Sequence, residues 1–460
     1  MLIHVASETG PQLERKHKRF LASVAILAVS LLASAPEAWA QLPDLIDNSV
    51  TRRVEESIAG QVARKIEQTV ETSVQGAVDS AISNSVTKAL GDTIDQVIGE
   101  LRGVPREVTV EDNWRAVDHE WIALVPPGQL AALQNANIRI VESTPLQASG
   151  LMLVRVIVSD QDDNPGRAQQ LLRGLGATAA DRNHIYGVQT RLAPEEPDPS
   201  PVPQPASAKQ RPRVGLIDTA LNRKHPALKS ASIVEKDFVD GKDARPTAHG
   251  TSIASLLIGA EKGHEGLLRN GQLIAASVFY QAESGATGAT TSALVASLDW
   301  MAAQKVQIVN MSLAGPPNEV LGMMISRFSG QGMLVVAAVG NDGPASRPLY
   351  PAAFEPVVAV TAVDRKSQIY RWANQGPQVD VAAWGVASVV ASDKGGYGEE
   401  SGTSFAAPVV SAALAQLVAD GTRTTSAAMA SLMSSAEDLG AKGRDDVYGY
   451  GMVKAASARQ

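Results

Sequence analysis

No cysteine occurs anywhere in the chain, which removes disulfides, thiolate nucleophiles and cysteine-ligated metal sites from consideration. Stability must come from packing alone. An exported chain without cysteine also fits a bacterial envelope or extracellular setting better than a small disulfide-stapled eukaryotic one. Aromatic residues are only 4% and the net charge is -7 with no basic stripe, so nucleic acid is set aside as a partner. What is present is 460 residues, 44% hydrophobic and 19% charged, enough for two or three domains with a sizeable core.

Residues 1–40 read as a secretory signal peptide. Arg15-Lys16-His17-Lys18-Arg19 precedes an apolar stretch from Phe20 to Ala35, and Ala38-Trp39-Ala40 supplies a small-x-small cleavage site. The apolar stretch is shorter than the roughly 20 residues a membrane span needs. The expected location is therefore the bacterial periplasm, cell envelope or extracellular space.

Residues 41–117 form a second segment. Apolar residues recur at every fourth position from Ile46, Val50, Val54 and Ile58 to Ile94 and Ile98, with polar residues or glycine midway between them. That period is helical and excludes a strand. A spacing of four overshoots 3.6 and favours a right-handed supercoil, so self-association through about 45–101 is expected. A loosely folded spacer remains open, because Val, Thr, Ser and Gly are mediocre helix formers. A membrane-surface helix is disfavoured by the excess of acids over bases.

Residues 118–190 alternate strands and helices. Glu120–Val125, Ile138–Val141, Leu151–Val158 and Ile185–Gln189 read as strands, and Gly128–Asn135 and Pro165–Leu175 as helices. The order βαββαβ is the ferredoxin-like plait. A linker at 191–212 follows, with Pro194, Pro197, Pro199, Pro201, Pro203 and Pro205, extended and open to proteolysis.

From 213 to 460 near-continuous apolar runs recur, among them Val214–Ile217, Leu273–Val278, Val306–Met311, Leu334–Val339 and Val357–Val363, with helical segments between. Strands without alternation are buried on both faces, which predicts an α/β domain with a parallel sheet and helices on each side. Functional groups of such sheets collect beyond the carboxyl ends of the strands. Asp218 stands there, and His249 and Ser404 each open a helical run. A serine hydroxyl needs an imidazole to take its proton, and the imidazole needs a carboxylate to fix its tautomer, so these three predict a catalytic triad. A helix start also aims N–H groups at developing negative charge. Asn341, directly after another apolar run, is a candidate amide donor to the same oxyanion. Pro408 is expected in the first turn of the Ser404 helix.

Gly215-Leu216-Ile217-Asp218-Thr219, His249-Gly250-Thr251, Gly340-Asn341 and Gly402-Thr403-Ser404-Phe405-Ala406-Ala407-Pro408, in that order, resemble the subtilisin-like serine proteases (subtilases). Asn310-Met311-Ser312-Leu313-Ala314-Gly315 resembles the family's substrate-pairing edge strand, Tyr350-Pro351-Ala352 is also similar, and Leu349 just before it falls at the base of the family's specificity pocket. The resemblance implies a subtilisin-like fold and peptide-bond hydrolysis through an acyl-enzyme. It implies protein or peptide substrates bound as an added strand, and a plait that acts as an inhibitory folding chaperone. Leu349 implies a shallow pocket for Ala or Val. The sequence departs from the family pattern at Thr219-Ala220, Ser252, Trp384 and Val409.

No acidic calcium loop is evident, so no metal and no cofactor are expected. His225 reads as a surface loop residue, and His119, His184 and His264 lack metal-ligand spacing. A protease-fold binding protein with little catalysis is the competing reading. It would be expected to lose a triad member or Asn341, and all four are present. Activity at neutral pH is expected, lost on the acid limb as His249 takes a proton. The precursor is expected to cut itself between Gln189 and Arg213, at one end of the linker, or else to keep an inert plait attached.

Overall fold

The structure is a computed structural model that describes residues 105–188 and 210–453, apart from 137, 242–244, 269, 283–284 and 423. The leader, the four-residue repeat and most of the Pro-rich linker lie outside the described residues. The chain divides into 1–106 and 107–460, and the elements described belong to the second unit.

Its first half comprises β1 (Glu107–Thr109), β2 (Arg115–Val125), α1 (Leu130–Asn135), β3 (Arg139–Leu146), β4 (Leu151–Ile157), α2 (Pro165–Gly174) and β5 (Ala179–Val188). The sheet runs β5-β2-β4-β3, antiparallel throughout, with β1 added on β2. This is the βαββαβ plait. α2 starts where Asn164 accepts from the Arg167 N–H and Pro165 fills the first helical position.

The period of two along β2 separates two cores. Trp121, Ala123 and Val125 pack under α1 and α2 with Leu133, Ala168 and Leu172. Ile122 and Leu124 face the other way, into a core shared with the following domain.

That domain comprises β6 (Arg213–Asp218), β7 (Ile233–Asp237), α3 (Ala248–Ile258), β8 (Gln272–Ser277), β9 (Phe279–Gln281), β10 (Thr287–Thr290) and α4 (Thr291–Ala303). It continues through β11 (Ile308–Met311), β12 (Leu313–Ala314), α5 (Glu319–Ser329), β13 (Leu334–Ala338), β14 (Val357–Val363) and β15 (Val381–Trp384). It ends with β16 (Ser388–Ala391), β17 (Tyr397–Glu400), α6 (Thr403–Ala419) and α7 (Thr425–Ser435). The central sheet runs β15-β14-β13-β11-β6-β8-β7, parallel at every pair. Val214 and Leu216 face a core with α3, α6 and α7, whereas Ile217 faces one with α4 and α5. Burial on both faces is why these strands read as unbroken apolar runs.

Several expectations need correction. The sheet begins at Glu107 rather than 118, because Arg115 returns a two-pronged bond at 2.8 Å to Glu107 and ties β1 to β2. β5 begins at Ala179 rather than Ile185, since its polar residues find partners on other elements. Pro408 is inside α6, in its second turn. His225 is buried, not a surface residue: its Nδ1 accepts from the Ala227 N–H and its Nε2 bonds the Gly396 carbonyl at 2.8 Å.

Candidate active site

Asp218 is the last residue of β6, and α3 begins with its first turn against that strand end. Gly250 N–H donates to Thr219 Oγ1 at 2.7 Å. A Cβ on Gly250 would lie 2.4 Å from the Thr219 carbonyl, so only glycine allows this approach. The turn delivers His249, whose Nδ1 lies 2.7 and 2.9 Å from the two Asp218 carboxylate oxygens. Thr219 N–H donates to the same carboxylate at 2.7 Å. Both side chains are buried, and His249 Nε2 has no hydrogen-bond partner. A carboxylate at Nδ1 fixes the tautomer with the proton there and leaves Nε2 as the basic nitrogen.

Ser404 lies in the first turn of α6, after Gly402 at φ 151°. The next residue, Phe405, packs its ring 6.0 Å from that of His249, which sets the imidazole against the serine's turn. Asn341 joins the same place: its Oδ1 accepts from Thr403 N–H at 3.1 Å and Thr403 Oγ1 at 2.9 Å. With Oδ1 committed to Thr403, Nδ2 is the end of the amide that can donate to a substrate. The structure therefore brings Asp218, His249, Ser404 and Asn341 together at the carboxyl end of the sheet.

The edge residues divide in role. Leu313 and Ala314 pair antiparallel with Val188 and Gly187 of the plait. Gly315 instead exchanges both backbone bonds with Tyr350, at 2.9 and 3.0 Å. The Ser312 hydroxyl points to the Ser404 carbonyl, at 2.9 Å. Leu349 is buried with its Cδ1 close over Gly340.

The opposite side of the cleft carries no sequence signal. β10 pairs with β5 through Ala289 to Tyr186 and Thr290 to Ile185, so Ile185–Val188 lies between β10 and β12. Tyr186 is fully buried and donates its hydroxyl to the Pro316 carbonyl at 2.8 Å. Its ring fills the space left by the missing side chain of Gly315. Glu400, half-buried at the end of β17, was also missed. Burial raises its carboxyl pKa while the nearby His249 lowers it. Among the described residues no cluster of three His, Asp or Glu could hold a metal ion, and no helix is long and apolar enough to cross a membrane.

The model of the subtilase family matches residues 209–451. This chain belongs to the subtilase family. Subtilisin DY of Bacillus licheniformis is 30% identical over 257 residues, covering 54% of this chain and 90% of that protein. Minor extracellular protease Epr of Bacillus subtilis (strain 168) is 32% identical over 210 residues, or 45% of this chain, and the match spans 32% of Epr. Among solved structures, fervidolysin from Fervidobacterium pennivorans superposes with a TM-score of 0.63 at 16% identity, over 75% of this chain and 61% of that one. At that identity the likeness speaks for the subtilisin-like fold alone, and it reaches beyond the matched family region.

Proposed function

We propose that this subtilase is a secreted serine endopeptidase, held inactive in its precursor by its own plait. The observation that carries the reading is the buried Asp218–His249 pair, with Nε2 unpartnered beside the turn of Ser404. In the proposed reaction Nε2 takes the Ser404 Oγ proton as Oγ attacks the substrate carbonyl carbon. Asp218 holds the Nδ1 proton and stabilises the imidazolium. The charge on the carbonyl oxygen is met by Asn341 Nδ2 and by N–H groups at the start of α6. His249 then gives its proton to the leaving amine, and water repeats the sequence on the acyl-enzyme.

Substrate would bind as a strand between β10 and β12, where Ile185–Val188 now lies. Gly315 and Pro316 offer the place taken by Tyr186, and Leu349 underlies a shallow pocket for a small residue before the scissile bond. β5 runs toward Ser312, which touches the Ser404 carbonyl. Self-cleavage shortly after Val188 fits this direction. This favours the near end of the linker for self-cleavage.

The test is the intact mass of the secreted full chain, wild type beside Ser404→Ala. A wild type trimmed just after Val188 with an uncut variant is expected. If both remain full length, self-cleavage is wrong; if a serine-directed phosphonate then fails to label the wild type with its linker cut and its plait removed, the chain is a binding protein and the proposal is wrong.

A further inference from the structure

We propose that Ser312 and Asn310 are positioning residues for the nucleophile, holding the Ser404 backbone in place of the helical hydrogen bond that Pro408 removes. The proposal rests on the reading of Ser404 as nucleophile. In an α-helix the carbonyl of residue i accepts from the N–H of residue i+4. For Ser404 in α6 that residue is Pro408, which has no N–H and whose ring crowds the carbonyl four residues back. A buried carbonyl needs a donor. Ser312 Oγ supplies it from outside the helix, at 2.9 Å from Ser404 O.

The hydroxyl is itself held. Having given its single proton to Ser404 O, Ser312 Oγ accepts from Asn310 Nδ2 at 2.9 Å. Asn310 Oδ1 in turn accepts from Ser411 Oγ at 3.0 Å. Each group is used in the sense its chemistry allows. Ser411 is also on α6, beyond Pro408, so the chain leaves the helix before the proline and returns after it. Asn310, Ser312, Ser404 and Ser411 are all fully buried.

This arrangement has a functional consequence. Ser312 immediately precedes Leu313 and Ala314, the edge that pairs with an extended strand. One residue thus sets the nucleophile's turn and borders the strand that carries the scissile bond. Without the hydroxyl, the Ser404 carbonyl loses this buried bond, and the turn that carries its side chain shifts. Misplacement of a reacting group by about 1 Å costs about 100-fold in rate.

The test uses the enzyme matured from the full chain and two readouts, peptide hydrolysis and the rate at which a serine-directed phosphonate labels Ser404. Ser312→Ala should lower kcat and labelling by about 10- to 100-fold, with KM changed by less than about threefold. Adding Pro408→Ala returns an N–H to position 408, so Ser312→Ala/Pro408→Ala should recover most of the loss. Rescue separates positioning from a general loss of packing, because the second change adds no contact at position 312. Ser312→Cys keeps the packing with a weaker donor and should fall between wild type and Ser312→Ala. It also serves if Ser312→Ala fails to fold. Equal rates for the wild type and both Ser312 variants, or a double variant no faster than Ser312→Ala, would overturn the positioning role. No labelling of the matured wild type would instead sink the assignment of Ser404 itself.

Discussion

Replacing Tyr186 by alanine should loosen the plait from the cleft without touching the catalytic groups. The ring is fully buried and lies against Gly315, where a Cβ would stand 2.5 Å from its Cδ1. Burial pushes the phenol pKa well up, so the hydroxyl stays a neutral donor to the Pro316 carbonyl. Truncating a large buried aromatic costs about 3–5 kcal/mol. At about 1.4 kcal/mol per decade the lower figure already weakens docking by about 100-fold. Tyr186→Phe loses only the hydrogen bond, about 1 kcal/mol, or about fivefold. Gly315→Ala attacks the same contact from the enzyme side and should resemble Tyr186→Ala. The assay is the rate at which a phosphonate labels Ser404 in the full chain after the linker is cut, since labelling reports the fraction of open clefts. The expected order is Tyr186→Ala and Gly315→Ala fastest, Tyr186→Phe next, wild type slowest. Equal rates for wild type and Tyr186→Ala would refute the idea that this ring plugs the cleft.

Other outcomes follow from the same geometry. Asn341→Ala removes the proposed oxyanion donor and should lower kcat by about 100- to 1000-fold, the general size for such a donor, with little change in KM, read from Michaelis kinetics. Arg347 stacks 3.5 Å over Trp114 and donates to the Asp112 carbonyl at 2.8 Å. Losing about 1 kcal/mol of cation–π attraction in Arg347→Ala should speed labelling about fivefold; a larger effect of Lys366→Ala, an exposed control, would count against it. For pH, burial first and the Arg182 charge second lower the His184 pKa to about 4. Its contribution to docking is therefore present above the free value of about 6.5 and lost as pH falls toward 4. Asp181 is pushed up to about 6 by burial, so its contribution is present below 3.8 and lost as pH rises through 6. The two oppose each other in the wild type. Asp181→Asn leaves the histidine alone, and retention of the cut plait on size exclusion should then weaken about 20-fold between pH 7 and pH 5. A flat profile in that variant would contradict the assignment.

The legible parts of the chain are those whose signal is local. Val357–Val363 appears as a strand with the predicted ends because both faces are apolar and the whole run is buried. The places of Asp218, His249 and Ser404 in the fold were legible because each stands where a strand ends or a helix begins. β7 was not, since Ile233–Asp237 is a short edge strand whose last four residues are exposed and last three charged. Pro408 misled for an instructive reason. A proline near a helix start suggests the first turn, and its tolerance in the second depends on Ser312, whose hydroxyl serves the carbonyl of Ser404, 92 positions later. Glu400 and the β10 side of the cleft carry no motif, and only tertiary placement makes them part of the site.

β5 shows most clearly why the missing information was not in the local sequence. Ala179 to His184 contains four polar residues in a row, which reads as a loop. In the fold Asp181 accepts from the Glu319 N–H at 2.8 Å and Asn183 from the Ser292 N–H at 3.0 Å, at the starts of α5 and α4. Each helix already has one side-chain cap of its own, Asn318 for Leu321 and Thr290 for Ala293. The first turn of a helix leaves several N–H groups without intrahelical partners, and one cap satisfies only one of them. The plait strand supplies a second to each. It does so from residues 138 and 109 positions upstream of the groups they cap, so a chain that has made these bonds has already brought plait and peptidase together. The polar run that obscured the strand is thus what joins it to the enzyme, and its apolar end, Ile185–Val188, is what pairs between β10 and β12.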